Sequence, residues 1–297
     1  MITAERLRAL VEVAHAGSIT TAARRMGFTP SALSQQLARL EREVGCTLLE
    51  RRPTGASLTE AGRLLVRHGE TIAGELRAAE QSVAALRELP PADPSVGTFA
   101  TAGQLLLPQA MAAFRRAHPG TRLRLSDLEP PDGYDLVVAG DLDLLITHRY
   151  PAVRLPPSRG LIRTPLLADP LRLVLPAGHS LAKASRLRFE DFAGEDWISG
   201  GPQAPNRLCL DGLTAETGVE VRAAYESRDY AVILALVRAG LGVAFVPATV
   251  LASADHQRIA VRDLAGRRPA REIYTVHRTR PPAHVTTMVG LLHNFAS

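Results

Sequence analysis

The chain has 297 residues, 46% hydrophobic and 22% charged, which is long enough for more than one domain and ordinary for a globular protein with a buried core. Thirty-five basic against 30 acidic residues give a net charge of +5, and Lys183 is the single lysine, so the arginine excess reads as genome base composition rather than as a site. The opening MITAERLRALVEVAHAGS lacks the basic start and apolar run of an export signal, and no stretch approaches the ~18 apolar residues of a membrane span. Cys46 and Cys209 give no disulfide framework, and the nine histidines lack metal-ligand spacing, so a cytoplasmic protein without metal or cofactor is expected.

Residues 1–58 read as short helices followed by a hairpin. In SITTAARRMGFTPSALSQQLARLEREVG, Ser18 caps a short helix ending near Met26, and Gly27 makes the turn. Small side chains at Ala22 and Ala23 let a second helix cross closely. That helix has Thr29 at its N-cap and Pro30 at its first position, and it stops at Gly45. Leu33, Leu37, Leu40 and Val44 form one buried stripe. Ser31, Gln35, Ala38 and Arg42 occupy the opposite face, flanked by Ser34 and Arg39. Small and hydrogen-bonding groups there suit a helix that enters a major groove and reads base edges. The plainer alternative is a three-helix core on which Ser31 and Gln35 are merely solvated. TLLERRPTGASL then reads as a wing: an apolar run, a Pro-Thr-Gly turn and a return to Leu58. Arg51 and Arg52 tip it, placed for phosphate or minor groove. Eight arginines against five glutamates leave residues 1–58 at only +3, so DNA affinity would depend on pairing such domains.

From Thr59 to Leu89 the pattern is one long amphipathic helix, with Leu65, Ile72, Leu76, Ala79, Val83 and Leu86 in a heptad-like seam. Either the seam pairs with the same helix of another chain, or it packs on the chain's own domains. The proline-rich segment LPPADPS ends the helix. Beyond it, the strand-like runs SVGTFAT, TRLRLSD, DLDLLITH, LRLVLPA, WISG, VRAAYES, GVAFVPA and REIYTVHR alternate with helices near 103–117 and 229–239, predicting an α/β domain with a mainly parallel sheet. No GxSxG elbow, P-loop or dinucleotide fingerprint appears, which weakens the alternative of an enzyme or solute-binding protein on such a scaffold.

AARRMGFTPSALSQQLARLEREVG, LLERRPTGASLTEAGRLL, GDLDLLIT and ALVRAGLGVAFVP together resemble the LysR-type transcriptional regulators, over nearly the whole chain. The resemblance implies an N-terminal winged helix-turn-helix over 1–58, a dimerising linker helix over 59–89 and an effector-binding domain over 90–297. That domain is expected to resemble type 2 periplasmic binding proteins: lobe one from about 95–163 plus 268–297, and lobe two from about 164–267. Carried over, Pro30, Ser31, Ser34 and Gln35 face DNA. Two departures stand out: many members carry arginine where this chain has Gln35, and again at the wing position of Thr54, for which Arg52 is the substitute. The resemblance further implies a homotetramer built as a dimer of dimers, double-stranded promoter DNA and RNA polymerase as partners, and a small effector, anionic by the polarity of its site.

In open α/β sheets ligands sit at the carboxyl ends of strands. The candidate contacts are therefore Thr101, Ala102 and Gln104; Thr147 and His148; Ser199 and Gly200; Ser227 and Arg228; and Val246. Ser199-Gly200-Gly201 would offer backbone N–H groups to a carboxylate and Arg228 a counter-charge, although serine and threonine at strand ends equally serve as helix caps. His148 reads either as a ligand contact or as a solvated loop residue. Cys209 has no second cysteine in its domain and reads as structural.

Overall fold

The computed structural model describes residues 1–52, 55–86, 93–150, 155, 160–202, 204–266 and 269–296. The chain opens with α1 (Ala4–Ala16), α2 (Ile19–Met26) and α3 (Pro30–Val44), then the hairpin β1 (Leu49–Arg52) and β2 (Gly55–Leu58), then the long α4 (Glu60–Leu86). There follow β3 (Ser95–Thr98), α5 (Ala100–Leu105), α6 (Leu107–Ala117), β4 (Arg124–Asp127), α7 (Tyr134–Ala139) and β5 (Leu144–Arg149). The remainder is β6 (Leu161–Pro176), β7 (Asp196–Ser199), α8 (Pro205–Thr217), β8 (Arg222–Glu226), α9 (Tyr230–Arg238), β9 (Ala244–Pro247), α10 (Ala248–Ala252), β10 (Ile259–Arg262), β11 (Ala270–Arg278) and α11 (Ala283–Ala296). Contacts divide these elements into two units: Met1–Ser95 with Tyr134–Asp143, and Val96–Gly133 with Leu144–Ser297.

In the first unit the local signals of the sequence set the helix ends. Ser18 Oγ accepts from Thr21 N–H at the start of α2, and Thr29 Oγ1 accepts from Ala32 N–H at the start of α3. Gly27 and Gly45 take left-handed φ values of 72° and 78°, where a Cβ is strained, and so end both helices sharply. Leu33, Leu37 and Leu40 are buried against Leu10, Ala22, Ala23 and Leu48, with Val44 half-buried at the edge. Glu41 reaches off α3 to accept from the N–H groups of Leu48 (2.7 Å) and Leu49 (3.1 Å), which anchors the wing's first strand. Thr59 caps α4 through Gly62 N–H at 3.0 Å. The helix then lies on α1: Val66 joins the helical core, and Gly69 approaches Leu7 and Val11. The expected end of α4 near Leu89 lies outside the described residues.

The second unit is built around β6, sixteen residues long. Its first half pairs with β11, beyond which come β5, β3 and β4; its second half pairs with β10 and β9. β7 and β8 form a parallel pair, tied to the segment before β9 by a bridge between Trp197 and Val243. Three apolar cores result among the described residues of this unit. One holds Phe99, Ala102, Phe114, Ile146 and Met288, a second Trp197, Phe189, Phe192, Leu210 and Phe245, and a third Val174, Ile198, Ile233 and Val246. The sheet is mixed rather than mainly parallel: β3/β5 and β7/β8 are parallel, while every described pairing of β6 and β11 is antiparallel. A strand that crosses between two lobes needs a return strand beside it, and that return runs antiparallel. The first half of β6 carries Pro165 and Pro170, residues that argue against a central strand. Beside Pro165 the pairing shifts register, β6 carrying one extra residue, Leu166, opposite the step from Ile273 to Tyr274.

Candidate DNA-reading face and effector site

On α3, Pro30, Ser31, Gln35 and Ala38 are exposed together, with Ser34 half-buried beside them. Thr29 and Ser18 spend their hydroxyls on caps, which positions the helices rather than freeing those oxygens. Arg39 is exposed and lies 3.5 Å from Glu43, a surface pair of small worth that leaves it available to a phosphate. Arg42 Nε donates back to the Ala38 carbonyl. In the wing, Arg51 pairs with Ala56 and Arg52 with Gly55 through the backbone. The side chains of Arg51 and Arg52, and all of Thr54, lie outside the described residues.

Along α4 the seam divides. Ile72, Leu76, Ala79 and Val83 are exposed, and Leu64 joins them. Leu65, which the heptad spacing placed in this seam, instead packs into the helical core of its own unit. A spacing of seven leaves Leu65 only about 20° from Ile72 around a 3.6-residue helix, so it is the core of α1 packed beside it, not helix twist, that takes Leu65 out of the exposed seam. The Leu86 side chain is outside the described residues.

In the second unit, four side chains far apart in sequence meet where β6 and β11 run side by side. Asp169 and Arg271 are register partners, 0% and 2% exposed. Arg271 Nε donates to Asp169 Oδ2 at 2.9 Å, and Nη2 donates to Thr101 Oγ1 at 2.9 Å and to Thr249 Oγ1 at 3.4 Å. Asp169 also accepts from Thr249 N–H (3.1 Å) and Oγ1–H (2.6 Å) at the start of α10. The guanidinium stands over the Phe99 ring, 5.2 Å from its centre. His148 meets Phe99 edge-on at 4.4 Å and Tyr150 at 5.6 Å. Burial, reinforced by the charge of Arg271, pulls the His148 imidazole down to about 3, so it is neutral at physiological pH. The Tyr150 and Tyr230 hydroxyls lie 3.5 Å apart, and burial pushes both phenols up. Glu129 accepts from Ala100 N–H at 3.4 Å; burial raises its carboxyl, opposed by the Ala100 hydrogen bond and by the charges of Arg271 and Arg228.

The predicted contacts thus separate into groups. Thr101 and His148 belong to the cluster around Arg271. Ser199, Gly200, Ser227 and Arg228 gather at the ends of β7 and β8, where Ser199 O accepts from Ser227 N–H at 2.8 Å. Gly200 is packed so tightly that a Cβ would stand 2.3 Å from that of Ala204. Ser227 Oγ accepts from the N–H of Asp229, whose own carboxylate caps α9 through Ala231 N–H, while Arg228 is exposed. Ala102 and Val246 are core residues whose side chains face apolar neighbours, Thr147 is fully buried, and Gln104 points to solvent. Strand ends carry ligand contacts on one face and core contacts on the other, and sequence position alone does not say which. The reading missed Phe99, Glu129, Tyr150, Asp169, Tyr230, Thr249 and Arg271. The available signal was an ionisable residue inside a strand otherwise apolar, as in Arg271 at the head of REIYTVHR. Cys209 is buried, its thiol pushed up to about 12 by burial, which fits a structural role.

A helix-turn-helix with a wing, followed by a two-lobed α/β domain with a polar cluster at its crossing strands, defines a ligand-responsive DNA-binding regulator. Residues 4–63 match the family model described as bacterial regulatory helix-turn-helix protein, lysR family, and residues 94–296 match the LysR substrate binding domain. Among curated relatives, the chain is 32% identical to the HTH-type transcriptional regulator CbbR of Xanthobacter flavus, over 89% of this chain and 78% of that one. It is 30% identical to a probable RuBisCO transcriptional regulator of Cyanophora paradoxa, over 84% and 77%. Among solved structures, CbnR, described as a LysR family transcriptional regulator, aligns over 98% of this chain and all of that one at 25% identity and a TM-score of 0.55. HinK of Pseudomonas aeruginosa aligns over 100% and 99% at 21% identity and a TM-score of 0.60, a likeness of fold. The chain belongs to the LysR family of bacterial transcriptional regulators. It is a DNA-binding regulator with an effector-binding domain, not an enzyme. No described helix is long and apolar enough to cross a membrane.

Proposed function

We propose that the chain reads promoter DNA with Pro30, Ser31, Ser34 and Gln35 in a major groove, supported on phosphate by Arg39 and by wing residues Arg51 and Arg52. The observation that carries this is the exposure of Ser31 and Gln35 on one face of the capped α3, opposite the buried Leu33, Leu37 and Leu40. A solved relative supports the mode: full-length CbnR complexed with its target DNA, 24% identical to this chain. The working domains are then 1–58, 59–89 and 90–297, with the exposed apolar face of α4 pairing two chains and the effector domains joining dimers into a tetramer. The assembly acts in the cytoplasm, where promoter DNA is, and RNA polymerase is its further partner at the promoter.

The effector is a small molecule held between the lobe of 95–163 plus 268–297 and the lobe of 164–267. Thr101 and His148 on one side, and Ser199 and Arg228 on the other, are its nearest polar groups. Selection of duplexes from a random pool, with wild type and with Gln35→Ala, tests the reading face. An unchanged selected motif in the variant overturns it.

A further inference from the structure

Charges buried away from water are kept only when something compensates them, and Arg271 is compensated unevenly. Asp169 takes Nε and one bond of Nη2, and Thr101 and Thr249 take the rest of Nη2. Nη1 makes no hydrogen bond among the described residues, although a guanidinium carries two N–H donors there. Against the same Phe99 ring, the buried His148 has an Nδ1 with no hydrogen-bond partner among the described residues. Two polar groups of one cluster therefore stand uncommitted in a protein whose buried polar groups are as a rule paired. The three straps come from different places: Thr101 from α5 on the first lobe, Thr249 from α10 on the second, and Asp169 from the strand that crosses between them. Any group that binds this guanidinium touches both lobes through one residue.

We propose that Arg271 is the anion-recognising centre of the interlobe site. A carboxylate on the effector takes the open Nη1 edge, with the neutral His148 imidazole as its second donor. Asp169 fixes the guanidinium from behind and Thr101 and Thr249 carry its position to α5 and α10. Asp169 is a positioning residue in this scheme. The ligand class is a small carboxylate whose body lies against Phe99, Tyr150 and Tyr230. A planar, five-donor guanidinium suits a carboxylate better than a point charge does. The proposal rests on the reading that the effector binds between the lobes.

The test is hydrogen exchange on the full chain, with acetate as the probe and uncharged acetamide as its control at matched ionic strength. Acetate slows exchange in segments 100–105 and 248–252 with one shared midpoint, and acetamide slows neither. In the double variant Asp169→Asn with Arg271→Gln, which leaves no unpaired buried charge, the acetate effect is lost at both segments. Thr101→Val keeps the response at 248–252 and loses it at 100–105, and Thr249→Val does the reverse, so the proposal is tested even if the double variant does not fold. Absence of any acetate effect in the wild type, or an equal effect in the double variant, overturns the anion centre. The interlobe reading itself fails on a different result: a metabolite that raises the melting temperature yet protects neither segment.

Discussion

Gly74 of α4 packs so closely on α7 that a Cβ at that position would stand 2.1 Å from the carbonyl oxygen of Val138. No Cβ tolerates that distance to a backbone atom. Arg77, one turn further on, pairs with Asp141 at 2.6 Å, so the glycine contact and the ion pair fix the same stretch of the linker helix.

Gly74→Ala is therefore a test with an unusual sign. In an exposed helix interior the change gains about 1 kcal/mol in propensity. Here the overpacking costs about 1–3 kcal/mol and separates α7 from α4. Urea denaturation shows a net loss of stability. A gain would mean that α7 does not rest on Gly74 in solution.

The two best-placed histidines give opposite pH dependences. His148 is held neutral in the folded chain down to about pH 3, whereas the unfolded imidazole takes up a proton near 6.5. Stability is complete above that value and is lost as pH falls, at ~1.4 kcal/mol per unit of pH across the window. His148→Leu flattens this acid slope in melting experiments from pH 7 to 4. His15 is raised by its 3.0 Å hydrogen bond to the buried Glu70. Its contribution is present below 6.5 and fades as pH rises through the raised folded value, and His15→Gln removes that alkaline loss.

Gln35→Ala and Ser31→Ala each weaken operator binding by about 1–3 kcal/mol and relax base preference at one position. Arg52→Ala weakens all duplexes alike and lowers the salt slope by about one unit. Fluorescence anisotropy over a salt series separates the two behaviours.

Ile72→Glu with Leu76→Glu places charge on the exposed face of α4 and abolishes chain pairing while leaving the helical core intact. Leu65→Glu acts differently: it puts a charge into the helical core and unfolds the head. Light scattering and circular dichroism on the two variants distinguish interface from core. An Ile72/Leu76 variant of unchanged mass would rule out this face as the interface.

The helix-turn-helix was legible because its determinants are local. Ser18, Thr29 and Pro30 start helices, Gly27 and Gly45 end them, and a stripe of leucines chooses the buried face, all between positions 18 and 45. The heptad seam was legible only approximately, since which of Leu64 and Leu65 meets the core depends on where α1 lies. The strands were visible by composition, but their pairing was not. β6 carries Pro165 and Pro170 and reads as broken until β11 is laid beside it. The polar cluster around Arg271 was the least legible part. Thr101 and Arg271 share a hydrogen bond across 170 positions, and Asp169 and Arg271 across 102. No periodicity links residues at such separations. Only the register of two crossing strands makes a buried ion pair of Asp169 and Arg271, and only burial turns His148 from a titratable surface group into a neutral one.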